Sequence, residues 1–285
     1  MITKKENELD LSLIQKHIDD AKENPLKSGT KAKGNRKAIA SPSLDKFLSK
    51  LSAGAIKSNT EYWDSLTIKN DFEYFQRWVF AICSVHTTWE SNVKGYLHLM
   101  NDLSWTISKT RLEEVVKTSG LGMFHRRIEG LWQLAEGFRN NPKEFYKSDL
   151  ETWEEARNRL VGRIFGLGYA KTTFAITLSF PTQAKLVCLD VHILRFMGYD
   201  RDGTPSGKFY LEMEKLWLKI CAKYKVNPAV VREIYWDRVQ NKRSPRYWSY
   251  CEEQRTVKTK KKLLNYMNQS TFLLQKELIY CQKML

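Results

Sequence analysis

Two glycines separated by one leucine, Gly166-Leu167-Gly168, interrupt a run of helical character and constrain the fold more than any other feature of the chain. Upstream, the residues to Phe165 read as a helix, and a second helix begins near Ala170. Glycine tolerates backbone angles that other residues avoid, so the pair allows a tight hairpin between the two helices. Leu167 can point into the core and hold that hairpin down. The unpaired N–H groups at the start of the second helix can then face a phosphate, helped by the helix dipole. A lone G-x-G is weak evidence, and its value comes from its position between two helices.

The rest of the chain is also helical in character. Phe72, Phe75, Trp78, Val79, Ile82 and Cys83 recur at helical spacing. Further helices are predicted over Trp89–Met100, Arg111–Thr118, Phe124–Phe138 and Leu150–Phe165, the last with Ser148 and Glu151 as a capping box. Val, Ile and Thr do not form alternating runs, so little sheet is expected. Residues 1–60 read as a polar, basic, partly flexible extension, with short helices at Leu9–Ala21 and Leu44–Leu51 around a basic arm at Lys22–Lys37. Residues 61–250 form the predicted core, and 201–250 contribute two or three aromatic-rich helices after a Gly/Pro loop. Residues 251–285 carry a basic cluster at Arg255–Lys262 and a terminal helix over Leu263–Cys281.

Lys and Arg number 47 against 32 Asp and Glu, a formal charge of +15. Such an excess suits a polyanionic partner. No apolar run approaches the ~20 residues of a membrane helix. The N-terminus lacks an apolar signal core, so a cytoplasmic setting is expected. Cys83, Cys188, Cys221, Cys251 and Cys281 are scattered without a CxxC pair, which indicates neither a zinc site nor a disulfide framework.

A second motif follows the hairpin: Cys188-Leu189-Asp190-Val191-His192. Asp190 lies between apolar residues at the start of a predicted helix. It is either a helix N-cap or a carboxylate whose burial serves a chemical task.

In this order the two motifs resemble the helix-hairpin-helix DNA glycosylase superfamily, where an L-x-G-x-G hairpin is followed about 20 residues later by V-D-x-H. Phe165-Gly166-Leu167-Gly168 and Leu189-Asp190-Val191-His192 match those elements. Ile82–Thr88 resembles the family's early helix end, and Ser119–Ile128, with Arg126 and Arg127, its G-L-x-x-x-K-A-x-x-I segment. The resemblance covers about residues 70–200. It implies an all-α, two-lobed fold with the active site between the lobes, and a monomer that acts on DNA by flipping a base out of the duplex. It implies that Asp190 stabilises positive charge on the sugar as the glycosidic bond breaks. The hairpin, Gly166, Leu167, Gly168, Tyr169, Ala170 and Lys171, would grip phosphate, and His192 would either add a phosphate contact or make a structural hydrogen bond. His86 stands where the family fills the gap left by the flipped base, with an exposed helix-end histidine as the plain alternative. Trp89, Phe124, Tyr235 and Trp236 are candidates for the base pocket or else core aromatics.

Three departures from the family qualify this picture. Bifunctional members carry a lysine two residues after the second hairpin glycine, where this chain has Ala170; Lys171 is its neighbour. A one-residue shift turns a side chain by ~100° on a helix, so a monofunctional enzyme that leaves an abasic site is expected. The cysteines lack the spacing of the family's iron–sulfur loop. His86 replaces a glutamine. No metal or cofactor is required, and a monovalent cation at the hairpin is the one ion the resemblance implies. Two other readings stay open: a DNA-binding protein of this fold without chemistry, and a base-modifying enzyme of glycosylase-like fold.

Overall fold

The computed structural model describes residues 37–199, 207–240 and 251. All of them belong to one compact unit that begins at Lys37. The basic arm at Lys22–Arg36, the helix at Leu9–Ala21, the Arg255–Lys262 cluster and the terminal helix lie outside the described residues.

Eleven α-helices, and no strand, occur among the described residues. They are α1 (Lys37–Leu48), α2 (Ala53–Ser65), α3 (Asp71–Cys83), α4 (Trp89–Asn101), α5 (Lys109–Thr118), α6 (Phe124–Asn140), α7 (Trp153–Leu160), α8 (Tyr169–Ser179), α9 (Val191–Phe196), α10 (Gly207–Lys223) and α11 (Pro228–Gln240). Short 3₁₀ turns, Leu103–Thr106 and Pro142–Phe145, lead out of α4 and α6. No described helix is long and apolar enough to cross a membrane.

Two hydrophobic cores organise these helices. The larger joins α2 to α6 and α8 around Trp63, Trp78, Trp105, Phe80 and Tyr96. The smaller joins α1, α9, α10 and α11 around Leu44, Ile193, Trp217 and Val231. Fully burying one such side chain stabilises the fold by roughly 1.5–3 kcal/mol. Phe47, Leu51 and Ala170 touch both cores.

The extended segment Leu186–Leu189 threads between the cores. Leu186 and Cys188 belong to the larger, Val187 and Leu189 to the smaller. That alternation is the period of two of an extended chain. Two buried polar groups of α10 pin the segment. Tyr210 accepts the Leu189 N–H at 3.2 Å and donates to the Val187 carbonyl at 3.0 Å, while Glu214 accepts the Val187 N–H. Glu214 also pairs with the buried Arg157 of α7 at 2.9 Å, which ties the hairpin's first helix to the same segment.

Three expectations change. The end of the polar lead-in is not wholly polar, because the short helix expected at Leu44–Leu51 overlaps α1 and places Leu44 and Leu48 in the smaller core. The helix expected over Leu150–Phe165 is α7 alone, since Gly162 takes a positive φ of 79° immediately after it. The capping box belongs to Thr152 and Glu155, and the Ser148–Glu151 pair closes a turn before the helix.

Candidate active site and nucleic-acid interface

The hairpin runs from the end of α7 to Gly168. Gly166 has φ +82°, a region that favours glycine, and a Cβ there would lie 2.7 Å from Cγ of Arg126. Leu167 is buried in the larger core, as its sequence position predicts. Its N–H reaches the Ile164 carbonyl at 3.1 Å and its carbonyl accepts the Gly162 N–H at 3.3 Å. Gln133 of α6 accepts the Phe165 N–H at 2.7 Å.

Gly168 is the N-cap of α8 and has no side chain to satisfy the first-turn N–H groups. α6, which carries Arg126 over Gly166, also begins without a side-chain cap, at Met123 with φ +47°. By contrast α2, α3, α4, α5, α7 and α9 each begin with a side chain accepting a first-turn N–H, and Asn227 does the same for α11. The face around the hairpin is therefore where bare helix N-termini are presented, with exposed Met123, Phe124 and Phe165 beside them. Tyr169 points the other way. Its ring stacks on Tyr210 at 5.5 Å and lies under the Arg157 guanidinium.

Asp190 caps α9 and is ion-paired at once. Its Oδ1 accepts the His192 and Ile193 N–H groups, each at 3.0 Å, and its Oδ2 accepts from Nη2 of Arg232 on α11. Only 14% of the side chain is exposed. Burial opposes its ionisation, but Arg232, the Ile193 N–H, Lys171 and His192 together hold the carboxyl below the usual aspartate value.

Lys171 reaches the same place. Its ammonium lies 5.4 Å from the Phe174 ring, which the Arg232 guanidinium approaches equally closely. Burial pushes the Lys171 amine below the ordinary lysine value, and Arg232 and Arg127 add to this, while Cys188 and Asp190 oppose it. The lysine one residue late on the helix lies within electrostatic reach of the Asp190 carboxylate. It sits in the first turn of α8, with a side chain long enough to reach inward, while Ala170 packs between the two cores.

Arg127 of α6 is buried, and its Nη2 donates to the carbonyls of Cys83 and Val85 at 3.1 and 2.7 Å. That grip fixes the exit of α3, where the exposed His86 takes φ +46°. A left-handed histidine is a strained position worth a functional reading.

A family model for Ogg-HhH, 8-oxoguanine DNA glycosylase, matches residues 56–226, more than half of the chain. The chain belongs to this family. Solved structures of 8-oxoguanine DNA glycosylases share its fold. That of Thermotoga maritima is 18% identical with a TM-score of 0.55, covering 70% of this chain and 97% of that one. The Methanocaldococcus jannaschii enzyme is 22% identical with a TM-score of 0.56, covering 73% and 99%. The same organism's glycosylase/lyase in complex with a 15mer DNA containing 8-oxoguanine is 22% identical with a TM-score of 0.57, covering 70% and 98%. A search of curated protein sequences finds no match.

Within this Ogg-type fold the expected aromatics separate. Trp236 lies against the larger core with the Arg232 guanidinium 5.6 Å from its ring, adjoining Asp190. Tyr235 packs into the smaller core, its ring 4.1 Å from that of Phe196. Trp89 opens α4 half-buried against the larger core, and Phe124 is exposed on the hairpin face. His192 gives its backbone N–H to Asp190. Arg232 and Glu233 were not singled out from sequence; a charged pair among apolar α11 residues, Arg232-Glu233 after Ala229-Val230-Val231, was the available signal.

Proposed function

We propose that this DNA glycosylase removes an oxidised purine of the 8-oxoguanine class from duplex DNA, with Asp190 as its essential carboxylate. The observation that carries the reading is the fixed Asp190 carboxylate, held by two N–H groups and a guanidinium beside the bare N-terminus of α8. The base must leave the stack before its bond to the sugar can break, at a cost of a few kcal/mol. The +15 charge and the hairpin face supply grip on the backbone without reading sequence. As the base departs, positive charge grows on the sugar, and an ionised carboxylate stabilises that charge and orients the incoming water. His86 then fills the gap in the duplex, and Trp236 offers a π-face to the extruded base. His192 and a monovalent cation at the hairpin complete the proposed phosphate grip.

The experiment is mass spectrometry of bases released from a panel of duplexes, each carrying one lesion or modified base. Free 8-oxoguanine from the wild type and none from Asp190→Asn is the expected result. A mass change on a base that stays in the strand would replace the reading with a base-modifying enzyme, and binding without either product would leave a DNA-binding module.

The first reading of the product is an intact abasic strand, because Ala170 occupies the family's lysine position. The Lys171 amine, held below its usual value near Asp190, favours a second reading. In it the Lys171 amine, after giving up its proton, attacks the sugar C1′ as the base departs, and the resulting imine permits strand cleavage. Borohydride trapping decides between them. No covalent adduct supports hydrolysis, and an adduct lost in Lys171→Ala supports the lyase.

A further inference from the structure

The base-release chemistry proposed for Asp190 leaves one neighbouring group unexplained. Arg232 is a buried arginine, its side chain 4% exposed, and burying a guanidinium is expensive unless it is paired. Its two terminal nitrogens serve two different carboxylates: Nη2 meets Oδ2 of Asp190, and Nη1 meets Oε1 of Glu233 at 2.7 Å. The guanidinium lies 5.4 Å from the Phe174 ring and 5.6 Å from the Trp236 ring. Glu233 is itself buried, and its Oε2 has no hydrogen-bond partner among the described residues.

We propose that Arg232 is a positioning residue for this site, locking the Asp190 carboxylate in its capping orientation and keeping it ionised, with Glu233 competing for the same cation. The inference rests on Asp190 being the reacting carboxylate. With Oδ1 fixed by two N–H groups and Oδ2 by Arg232, the carboxylate cannot rotate about its last torsion. A carboxylate must be charged to stabilise a cationic sugar, and a half-buried one needs a neighbouring cation to stay so. The other groups facing it are Lys171 from α8, His192 from its own helix, Cys188 from the preceding segment, and Glu233 and Tyr235 from α11. Burial pushes the Glu233 acid up, Arg232 pulls it down, and Asp190 pushes it up again. One guanidinium between two carboxylates makes each the other's rival.

The prediction is a pair of opposite shifts. Single-turnover base release from a duplex carrying 8-oxoguanine is followed against pH for the wild type, Arg232→Gln, Arg232→Lys and Glu233→Gln. Arg232→Gln moves the acid limb to higher pH by roughly one to three units, the usual effect of an arginine on a neighbouring aspartate. Arg232→Lys recovers part of that shift. Glu233→Gln moves the limb to lower pH, because the cation then serves Asp190 alone. Glu233→Gln is close in shape to the native residue, so it decides the matter if Arg232→Gln does not fold. A limb that stays in place in both variants, or that moves in the same direction in both, overturns the proposal. If the wild type releases no base, the Asp190 assignment fails at the chemistry, and Arg232 is judged separately. The Asp190 carboxyl is then titrated by carbon-13 NMR, with Asp190→Asn used to assign the signal. The same opposite displacements in the Gln variants support the proposal, and an undisplaced titration overturns it.

Discussion

The starts of α8 and α9 solve one problem in opposite ways. Both helices begin with N–H groups that have no intrahelical partner. At α9 the Asp190 carboxylate takes two of them and is fixed by them. At α8 Gly168 supplies no side chain, and no cap takes these groups. In the proposed mechanism one backbone feature serves chemistry in one place and grip in the other. Where the ligand is the protein's own carboxylate, the N–H groups orient it; where the first turn is bare, a phosphate oxygen can take the place of the cap.

Asp190→Asn tests the closed end and carries the largest expected effect. Asparagine still caps a helix, so the fold persists, but the neutral amide cannot stabilise a cationic sugar. Base release slows roughly a thousandfold or more, while affinity for duplex DNA stays close to wild type. Single-turnover release measured beside a binding titration checks both halves. A wild-type rate in the mutant would remove Asp190 from the chemistry.

Gly168→Asp converts the open end into a closed one. The backbone there has φ −97°, and a Cβ would meet nothing within 4 Å, so aspartate fits without strain. The new cap stabilises the fold by about 1 kcal/mol, yet it fills the position offered to phosphate with a negative charge. DNA affinity falls roughly ten- to a hundredfold, since charge-assisted hydrogen bonds of this kind contribute about 1.5–3 kcal/mol. Thermal melting and a binding titration should move in opposite directions; affinity unchanged in a stabilised mutant would show that phosphate does not sit at α8.

Gly166→Ala distorts the hairpin between the two ends. A left-handed alanine costs about 1–2 kcal/mol, and its Cβ would press on the Arg126 side chain. A lowered melting temperature with weaker DNA binding is expected, whereas a fully stable mutant would mean that the turn relaxes freely. The smallest effect belongs to His86→Ala. Release from duplex should fall several-fold more than release from single strands, because a gap must be held open only in the duplex. Equal losses on the two substrates would count against the wedge.

The elements that announced themselves in sequence are those whose chemistry is local. Gly166-Leu167-Gly168 is legible because a positive φ calls for glycine and a buried leucine follows from the turn. Asp190 is legible because an acid before a helix has few roles. Arg232 and Glu233 come from another helix, and no periodicity says which helix will face Asp190. The surroundings of Lys171 were not legible either, because a register on a helix gives the direction of a side chain but not the ring, here that of Phe174, that its ammonium meets. The limit of α7 was missed because Val161-Gly162 reads as a continuing helix until the positive φ at Gly162 is known.

The alternation through Leu186–Leu189 makes residue parity a property of the candidate active site. Even positions there belong to the larger core and odd positions to the smaller. One residue inserted or deleted between Leu186 and Asp190 would exchange the two sets and turn the carboxylate toward the opposite core. Point substitutions in this stretch can therefore be absorbed by repacking, but changes in its length cannot. Among homologous chains the stretch is expected to vary in side-chain size while keeping its number of residues.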